Sequence, residues 1–404
     1  MYINRDLEKV VTRASTMFPV VMVTGPRQVG KTTLLERLAH EGRGYVSLDS
    51  SINREMAQSE PELFLQRFPP PLLIDEFQYA KGLLPYIKIR VDRDKRNGDY
   101  WLTGSQMFHM MRQASESLAG RVAIIPMQGL SINEIGGVPG GAFTGDPSEW
   151  LERSKVRKPI GLEEVYRRIF VGSFPRSHTG AFDRELFFGS YIETYLQRDV
   201  RDLTRVGDEM AFLRFMRACA ARTGGLLNYA ELAKDVGITA PTAKSWLSIL
   251  VTSGIVTLIE PYFDNMLKRI VKSPKMYFMD TGLCAYLTRW NSSDTLEVSA
   301  MTGQFFETYA VSEIIKSYYN IGKRPPIFHY RDTDQKEIDL VIEADGTLYP
   351  FEIKKTASPN RGAVRHFNSI TKAGRKVGTG GVICMTDNVY PINNDNYYVP
   401  IWII

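Results

Sequence analysis

The chain has 404 residues, too many for one ordinary hydrophobic core, so at about 150 residues per domain we expect several domains. Its hydrophobic content of 44% and charged content of 24% are typical of a soluble globular protein, and no stretch approaches the roughly 20 apolar residues of a membrane-spanning helix. The net charge of +5 is only a weak preference for polyanionic partners.

Cysteine usage and the first residues indicate the cellular compartment. Cys219, Cys284 and Cys384 lie far apart and form no C-x-x-C pair, which favours neither a disulfide framework nor a zinc site. Residues 1–9 contain no apolar core of a secretory signal. The sequence therefore predicts a protein of the reducing cytoplasm that has no membrane partner.

The stretch from Gly25 to Thr32 has the G-x-x-x-x-G-K-T spacing of a phosphate-binding loop. It lies between an apolar, β-branched run at 20–24 and an amphipathic helical pattern at 31–39, the strand and helix that such a loop requires. Glycine lets the backbone approach a pyrophosphate, and the helix N-terminus directs N–H groups toward it; a chance glycine turn is the alternative. The predicted ATP-binding residues are Gly25, Pro26, Arg27, Gln28, Val29, Gly30, Lys31, Thr32 and Thr33. Lys31 is expected on the β- and γ-phosphates, and Thr32 on Mg²⁺.

A second apolar strand, at 72–75, ends in the adjacent carboxylates Asp75 and Glu76. Asp75 is expected to hold Mg²⁺ through its water shell, and Glu76 to polarise the attacking water as the catalytic base. The alternative is that these acids only cap the next helix. A third strand, at 100–103, runs into polar candidates for sensing the γ-phosphate or for helix capping: Thr103, Ser105 and Gln106.

Strand and helix patterns alternate through the first part of the chain, which predicts an α/β fold with a parallel sheet between helices. Glycine and proline are dense at 136–146, as in an irregular connection that leaves this domain. We predict a P-loop domain at 1–160, a helical lid at 161–222, a winged-helix domain at 223–296 and a final α/β domain at 297–404.

The winged-helix prediction depends on two helical patterns within 229–252, separated by a glycine-containing turn, and on a following hairpin of strands at 254–259 and 275–279. The hairpin encloses Lys268, Arg269, Lys272 and Lys275. In the nucleic-acid interpretation these cations contact phosphates, and the second helix enters the major groove. The residues of that helix expected to face DNA are Thr239, Thr242, Lys244 and Ser245. A lid that contacts protein is the alternative.

Near the end of the chain, Asp345-Gly346 lies between two alternating strands and predicts a two-residue hairpin turn. Counting outward from this turn places Asp339 opposite Glu352, and Glu337 opposite Lys354, on the face away from the apolar residues. Two opposed carboxylates repel each other, and a divalent cation such as Mg²⁺ or Mn²⁺ bound by Asp339 and Glu352 would remove the repulsion.

Together with Lys354, and with Glu307 on the preceding helix, this arrangement resembles the PD-(D/E)XK endonuclease fold. Lys354 is then expected to orient or activate a water against a phosphodiester. The alternative is a solvated face on which Glu337 and Lys354 form an ordinary cross-strand ion pair.

With all parts in place, the sequence resembles prokaryotic AAA-type ATPases that carry a C-terminal domain of unknown function with a nuclease-like end. The resemblance is carried by residues 24–32, 74–78, 102–106, 116–121 and 351–354. It implies binding of Mg-ATP and association with DNA. Two function classes remain open: a DNA-associated ATPase with a nuclease-like effector, and a nucleotide-dependent regulatory switch that cuts nothing.

AAA enzymes usually place an arginine from the lid or from a neighbouring subunit at the γ-phosphate. Arg121 is the first candidate, and Arg198 and Arg201 are the reserve candidates. An arginine supplied by a neighbour requires a homo-oligomer. The alternative for each of them is a surface ion pair.

Overall fold

The computed structural model describes residues 2–39, 42–104, 117–197, 208–262, 273–332 and 334–404. Some residues singled out from the sequence lie outside these ranges: Ser105, Gln106, Arg198, Arg201, Lys268, Arg269 and Lys272. Within the ranges, no helix is both long enough and apolar enough to cross a membrane.

The amino-terminal unit is built on a five-stranded sheet in the order β2-β3-β4-β1-β5, in which every pair is parallel. This confirms the predicted α/β sheet. Its strands are β1 (Val20–Thr24), β2 (Gly44–Ser47), β3 (Leu72–Asp75), β4 (Tyr100–Gly104) and β5 (Val122–Pro126). Its helices are α1 (Leu7–Met17), α2 (Lys31–Leu38), α3 (Ser51–Ser59), α4 (Pro61–Arg67) and α5 (Leu84–Asp94), with a 3₁₀ helix at Phe77–Leu83. The adjacent strands β3, β4 and β1 are wholly buried, and because they are parallel their carboxyl ends meet at one edge of the sheet.

The connection after this sheet contains α6 (Ile132–Gly136) and α7 (Pro147–Val156). Ser131 and Glu134 form a capping box at the start of α6. Trp150 of α7 packs edge-on against Phe351, with ring centroids 5.9 Å apart. The connection therefore lies against the carboxyl-terminal sheet.

The middle unit contains helices and a small antiparallel sheet in the order β6-β8-β7. Its elements are α8 (Leu162–Val171), a 3₁₀ helix (Pro175–His178), α9 (Arg184–Tyr195), α10 (Glu209–Ala220), β6 (Gly225–Leu226), α11 (Tyr229–Val236), α12 (Ala240–Thr252), β7 (Val256–Ile259), β8 (Lys275–Phe278), α13 (Thr281–Leu287) and α14 (Ser293–Glu297). Gly237 ends α11 with φ +78°, and the Thr239 hydroxyl caps α12.

The carboxyl-terminal unit has α15 (Thr302–Tyr319) packed on a mixed sheet in the order β14-β15-β13-β11-β10-β9, with β12 beside β11. Its strands are β9 (Ile327–Arg331), β10 (Glu337–Ala344), β11 (Thr347–Ile353), β12 (Lys376–Val377), β13 (Gly380–Cys384), β14 (Tyr390–Pro391) and β15 (Asn396–Pro400); 3₁₀ helices occupy Arg361–Ala373 and Ile401–Ile403. Ala344 pairs with Thr347, and Leu340 with Phe351, which confirms the predicted hairpin register. Asp345 and Gly346 have φ +49° and +72°, as a type I′ turn requires.

Backbone contacts join the middle unit to the carboxyl-terminal sheet. Beyond β7, the Tyr262 N–H donates to the His329 carbonyl at 2.7 Å, and the His329 N–H donates to the Glu260 carbonyl at 3.1 Å. The segment that follows β7 thus pairs with β9 of the carboxyl-terminal sheet. Helix α15 also contacts the amino-terminal unit, because Glu313 accepts from the Ile132 N–H at 2.8 Å and Lys316 donates to the Leu130 carbonyl at 2.9 Å.

Candidate nucleotide site and a buried carboxylate cluster

The phosphate-binding loop follows β1 and has a backbone that only glycine accommodates at its first position. Gly25 has φ +154°, and a Cβ there would lie 2.0 Å from the Met127 carbonyl oxygen. Gly30 has φ +92° and directly precedes α2. The loop is therefore held tightly against the residue that follows β5, and α2 begins at its end, the arrangement of a phosphate-binding loop.

Lys31 and Thr32, the first residues of α2, point toward the loop and toward β3. The Lys31 ammonium donates to the carbonyls of Gly25 and Pro26 at 3.0 and 2.7 Å. The Thr32 hydroxyl donates to Asp75 Oδ1 at 2.9 Å, and the Tyr45 hydroxyl donates to Asp75 Oδ2 at 3.2 Å. A hydroxyl and a carboxylate in contact, beside a loop of backbone donors, are groups that suit Mg²⁺ with a bound phosphate.

Glu76 directly follows Asp75 in the left-handed backbone region, with φ +53°. Such a conformation in a residue other than glycine stores strain, and strain of this kind is concentrated at functional sites. Burial raises the pKa of Glu76, while a hydrogen bond from the Gln78 amide and the charges of Lys31 and Arg27 oppose that effect. On the adjacent strand, the buried Thr103 hydroxyl has no hydrogen-bond partner among the described residues. Of the three residues predicted to sense the γ-phosphate, Thr103 lies within the described residues, and Ser105 and Gln106 lie outside them.

Arg121 lies away from this edge of the sheet. It precedes β5, whose first residue pairs with Val20 at the amino end of β1, so roughly 13 Å of strand separates it from the P-loop of its own chain. Its guanidinium forms an ion pair with Asp92, including an Nη2–Oδ2 contact of 3.1 Å. Within this chain Arg121 therefore forms the surface ion pair that was the alternative to a position at the γ-phosphate. Its role at the γ-phosphate of a neighbouring copy stays a prediction.

Arg5 supports the P-loop and was missed in the sequence. Its buried guanidinium donates to the Val29 carbonyl at 2.9 Å, to the Gln128 carbonyl at 2.8 Å and to Glu134 Oε1 at 2.9 Å. It therefore joins the P-loop to the segment after β5. One signal was present in the sequence. Leu7, Val11 and Ala14 have the spacing of one helix face, and they form the buried face of α1.

The middle unit also lies beside the P-loop. A Cβ built on Gly30 would contact Pro175 Cγ at 3.9 Å, and one on Gly254 would contact Pro26 Cγ at 3.0 Å. Gln28 and Arg176 share an open cavity of about 500 Å³ with Phe182 and Phe187, which lie before and within α9. Arg176 is thus a cationic residue close to the P-loop that the sequence did not single out.

In the carboxyl-terminal unit, Asp339 and Glu352 lie on one face of the β10–β11 hairpin, as predicted. The Lys354 ammonium contacts Asp339 Oδ2 at 3.1 Å and Glu352 Oε2 at 2.6 Å. Phe351 and Ile353 are buried on the opposite face. Burial, followed by the Asp339 charge, raises the pKa of Glu352 to about 8.

Lys275 corrects two predictions. It is not a solvent-facing cation of the hairpin: it is buried, and its ammonium contacts Glu337 at 2.7 Å, Glu307 at 3.1 Å and Asp339 at 3.7 Å. Glu337 therefore pairs with Lys275, while Lys354 pairs with Asp339 and Glu352. The alternative interpretation, a solvated face with a Glu337–Lys354 ion pair, is wrong. Among the described residues, no group of three or more His, Cys, Asp and Glu side chains has a geometry that could hold a metal ion. Lys275 and Lys354 are the cations that contact the cluster.

The predicted DNA-facing residues of α12 lie at the surface. Thr239, Lys244 and Ser245 are exposed, and Thr242 is half-buried against the cap of the helix. The predicted phosphate contacts Lys268, Arg269 and Lys272 fall outside the described residues.

All three cysteines are buried and free. The sequence predicted no disulfide framework for them.

Comparison with known families assigns a class to the amino-terminal unit. Residues 17–136 match a family described as an AAA domain, so this unit is an AAA-type P-loop ATPase domain, as predicted. Residues 162–294 match a domain of unknown function (DUF8612), and residues 302–404 match another (DUF4143). Neither of these two matches assigns a function, so the endonuclease-like interpretation of the carboxyl-terminal unit stays a prediction.

Individual relatives give no activity either. The chain is similar to the uncharacterized proteins Rv2008c of Mycobacterium tuberculosis and Mb2031c of Mycobacterium bovis, each 29% identical over 360 residues, which is 88% of this chain and 75% of the relative. Among solved structures, it is similar to the Walker-type ATPase PABY2304 of Pyrococcus abyssi, with 16% identity, a TM-score of 0.42, and coverage of 71% of this chain and 96% of that one.

Proposed function

We propose that this protein binds Mg-ATP through its amino-terminal unit, hydrolyses it slowly and couples the cycle to DNA. The contact between the Thr32 hydroxyl and Asp75 at 2.9 Å is the main support, because it brings together, at the end of β3, the two side chains that would hold Mg²⁺. Lys31 holds the β- and γ-phosphates, and Glu76 polarises the attacking water. The simplest test measures the ATP hydrolysis rate with and without duplex DNA.

Lys31→Ala should weaken ATP binding about 10- to 100-fold, because the hydrogen bonds that a charged donor makes to phosphate are worth about 1.5–3 kcal/mol. Fluorescent ATP-analogue titration in Mg²⁺ measures the effect. Lys155→Ala, which removes an exposed lysine on α7, is the matched control. Equal affinity of Lys31→Ala and the wild type would remove Lys31 from the site.

Association with DNA is proposed through the middle unit. The order of α10, β6, α11, α12, β7 and β8 is that of a winged helix, and α12 presents Lys244 and Ser245 to solvent. Lys244 would then lie in or beside the major groove. The cations between β7 and β8 would contact phosphates.

A triple variant with alanine at Lys268, Arg269 and Lys272 should bind duplex DNA more weakly. Each lost phosphate contact should reduce the slope of log K against log salt by about 0.9, so the triple change should reduce it by nearly 3. The matched control replaces three exposed cations outside the middle unit, Lys9, Arg13 and Lys155, with alanine. An unchanged slope in the first variant assigns the middle unit to protein contacts.

For the carboxyl-terminal unit, the endonuclease-like fold is supported by the convergence of Glu307, Asp339, Glu352 and Lys354 on one side of the sheet. The second candidate function, a nucleotide-dependent switch whose nuclease-like unit does not cut, is favoured by one observation. Ammonium groups already contact both expected metal ligands, because Lys275 and Lys354 lie near Asp339 and Lys354 contacts Glu352. A cleavage assay with Mg²⁺ or Mn²⁺, with ATP present and absent, separates the two.

A further inference from the structure

The cation in the carboxylate cluster comes from a different unit than the carboxylates. Glu307 belongs to α15, Glu337 and Asp339 to β10, and Glu352 to β11, whereas Lys275 is the first residue of β8 in the middle unit. Its nitrogen lies within 4 Å of three carboxylates from two elements. Lys275 therefore holds a positive charge among carboxylates of α15 and β10.

Two side chains of β8 contact the cluster on the same face. The Tyr277 hydroxyl, two residues beyond Lys275, donates to Glu307 Oε1 at 2.6 Å. Strand β8 lies in the centre of its sheet, where Lys275 pairs with Ile259 on β7 and Leu226 on β6. The backbone that carries Lys275 is therefore paired on both sides, which places its side chain at the cluster.

Lys354 alone does not contact every carboxylate of the cluster. Four carboxylates face two ammonium groups, and Lys354 is 43% exposed while Lys275 is 5% exposed. Lys275 is thus the more buried of the two ammonium groups and the one that contacts Glu307 and Glu337. Without Lys275, Asp339 and Glu352 would keep Lys354, but Glu307 and Glu337 would lose the ammonium that contacts them, and Glu307 is largely buried. An uncompensated carboxylate in such a place favours binding of another cation.

We propose that Lys275 is an internal counter-cation that occupies the metal position of the carboxylate cluster and excludes divalent metal while β8 is docked. This rests on the endonuclease-like interpretation of the carboxyl-terminal unit, but not on ATP hydrolysis. Removal of the Lys275 charge is therefore expected to turn the cluster into a metal site.

The test is Mn²⁺ titration of the full chain by calorimetry and electron paramagnetic resonance, without nucleotide. We expect no binding in the wild type below about 1 mM, and one Mn²⁺ bound at least about tenfold more tightly by Lys275→Gln, which removes the charge and leaves a polar side chain one atom shorter. Adding Asp339→Asn to this variant should abolish the gain, which separates the cluster from the P-loop. Lys155→Gln, which breaks an exposed ion pair with Glu152, should behave as the wild type.

Two results would overturn the proposal: a folded Lys275→Gln that binds no Mn²⁺, or a wild type that binds it equally well. If Lys275→Gln does not fold alone, we expect Mn²⁺ to restore its circular dichroism and cooperative melting, and failure of this rescue also counts against the proposal. Lys275→Arg, which keeps the charge, should fold and bind no Mn²⁺. Loss of ATP binding in Lys31→Ala is measured separately, so failure of the ATPase proposal and failure of this one are distinguishable.

Discussion

Glu76→Gln should retain Mg-ATP binding and lose turnover by about 10²–10⁴-fold, the range expected for removal of a general base. Because a base acts on the attacking water only in the transition state, kcat should fall while the dissociation constant for ATP changes little. Single-turnover hydrolysis, with ATP-analogue binding measured in parallel, gives both quantities. Equal turnover in Glu76→Gln and the wild type would remove Glu76 from the mechanism.

Two variants make this result specific. Glu55→Gln makes the same change at an exposed position of α3 and should leave both quantities unaltered. Asp75→Asn should weaken Mg²⁺-dependent binding as well as turnover, since Asp75 contacts Thr32 and Tyr45 at the proposed metal position. If Glu76→Gln also loses binding, its effect is structural, transmitted through the strained turn at φ +53°.

Arg5→Ala should lower the free energy of unfolding of the amino-terminal unit by about 3 kcal/mol. Breaking a buried ion pair typically costs about 3–5 kcal/mol because a charge is left uncompensated. The lower end is expected here because the N–H groups of Asp6 and Ser131 still donate to Glu134, at 3.0 and 2.8 Å. ATP binding should weaken as well, since the Val29 carbonyl of the P-loop loses its donor. Urea unfolding followed by tryptophan fluorescence measures the stability.

A double-mutant cycle with Glu134→Gln isolates the ion pair, and the two single effects should not add. Arg13→Ala removes an exposed arginine from α1 and should change stability by less than about 0.5 kcal/mol. An Arg5→Ala chain as stable as Arg13→Ala would show that the four carbonyl and carboxylate contacts of Arg5 contribute little.

The local features of both sites could be predicted because neighbouring residues determine them. The run at 20–24 is buried on both faces, and the glycines at 25 and 30 have the backbone angles that only glycine adopts readily, so strand, loop and helix follow from the sequence. The Asp345-Gly346 turn fixes the register of its hairpin, and alternation then assigns Asp339 and Glu352 to one face.

The partners of the charged groups were decided only by the tertiary structure. Lys275 follows a run of cations in the sequence and was grouped with them, yet its contacts include Glu307, 32 residues away. Arg5 contacts Glu134 across 129 residues, and Arg121 pairs with Asp92 rather than reaching the P-loop. Periodicity and turn chemistry report the conformation of a short segment and which of its faces is buried. Which charge lies against which depends on how distant elements pack, because electrostatic attraction between buried groups acts through space and is set by distance and burial.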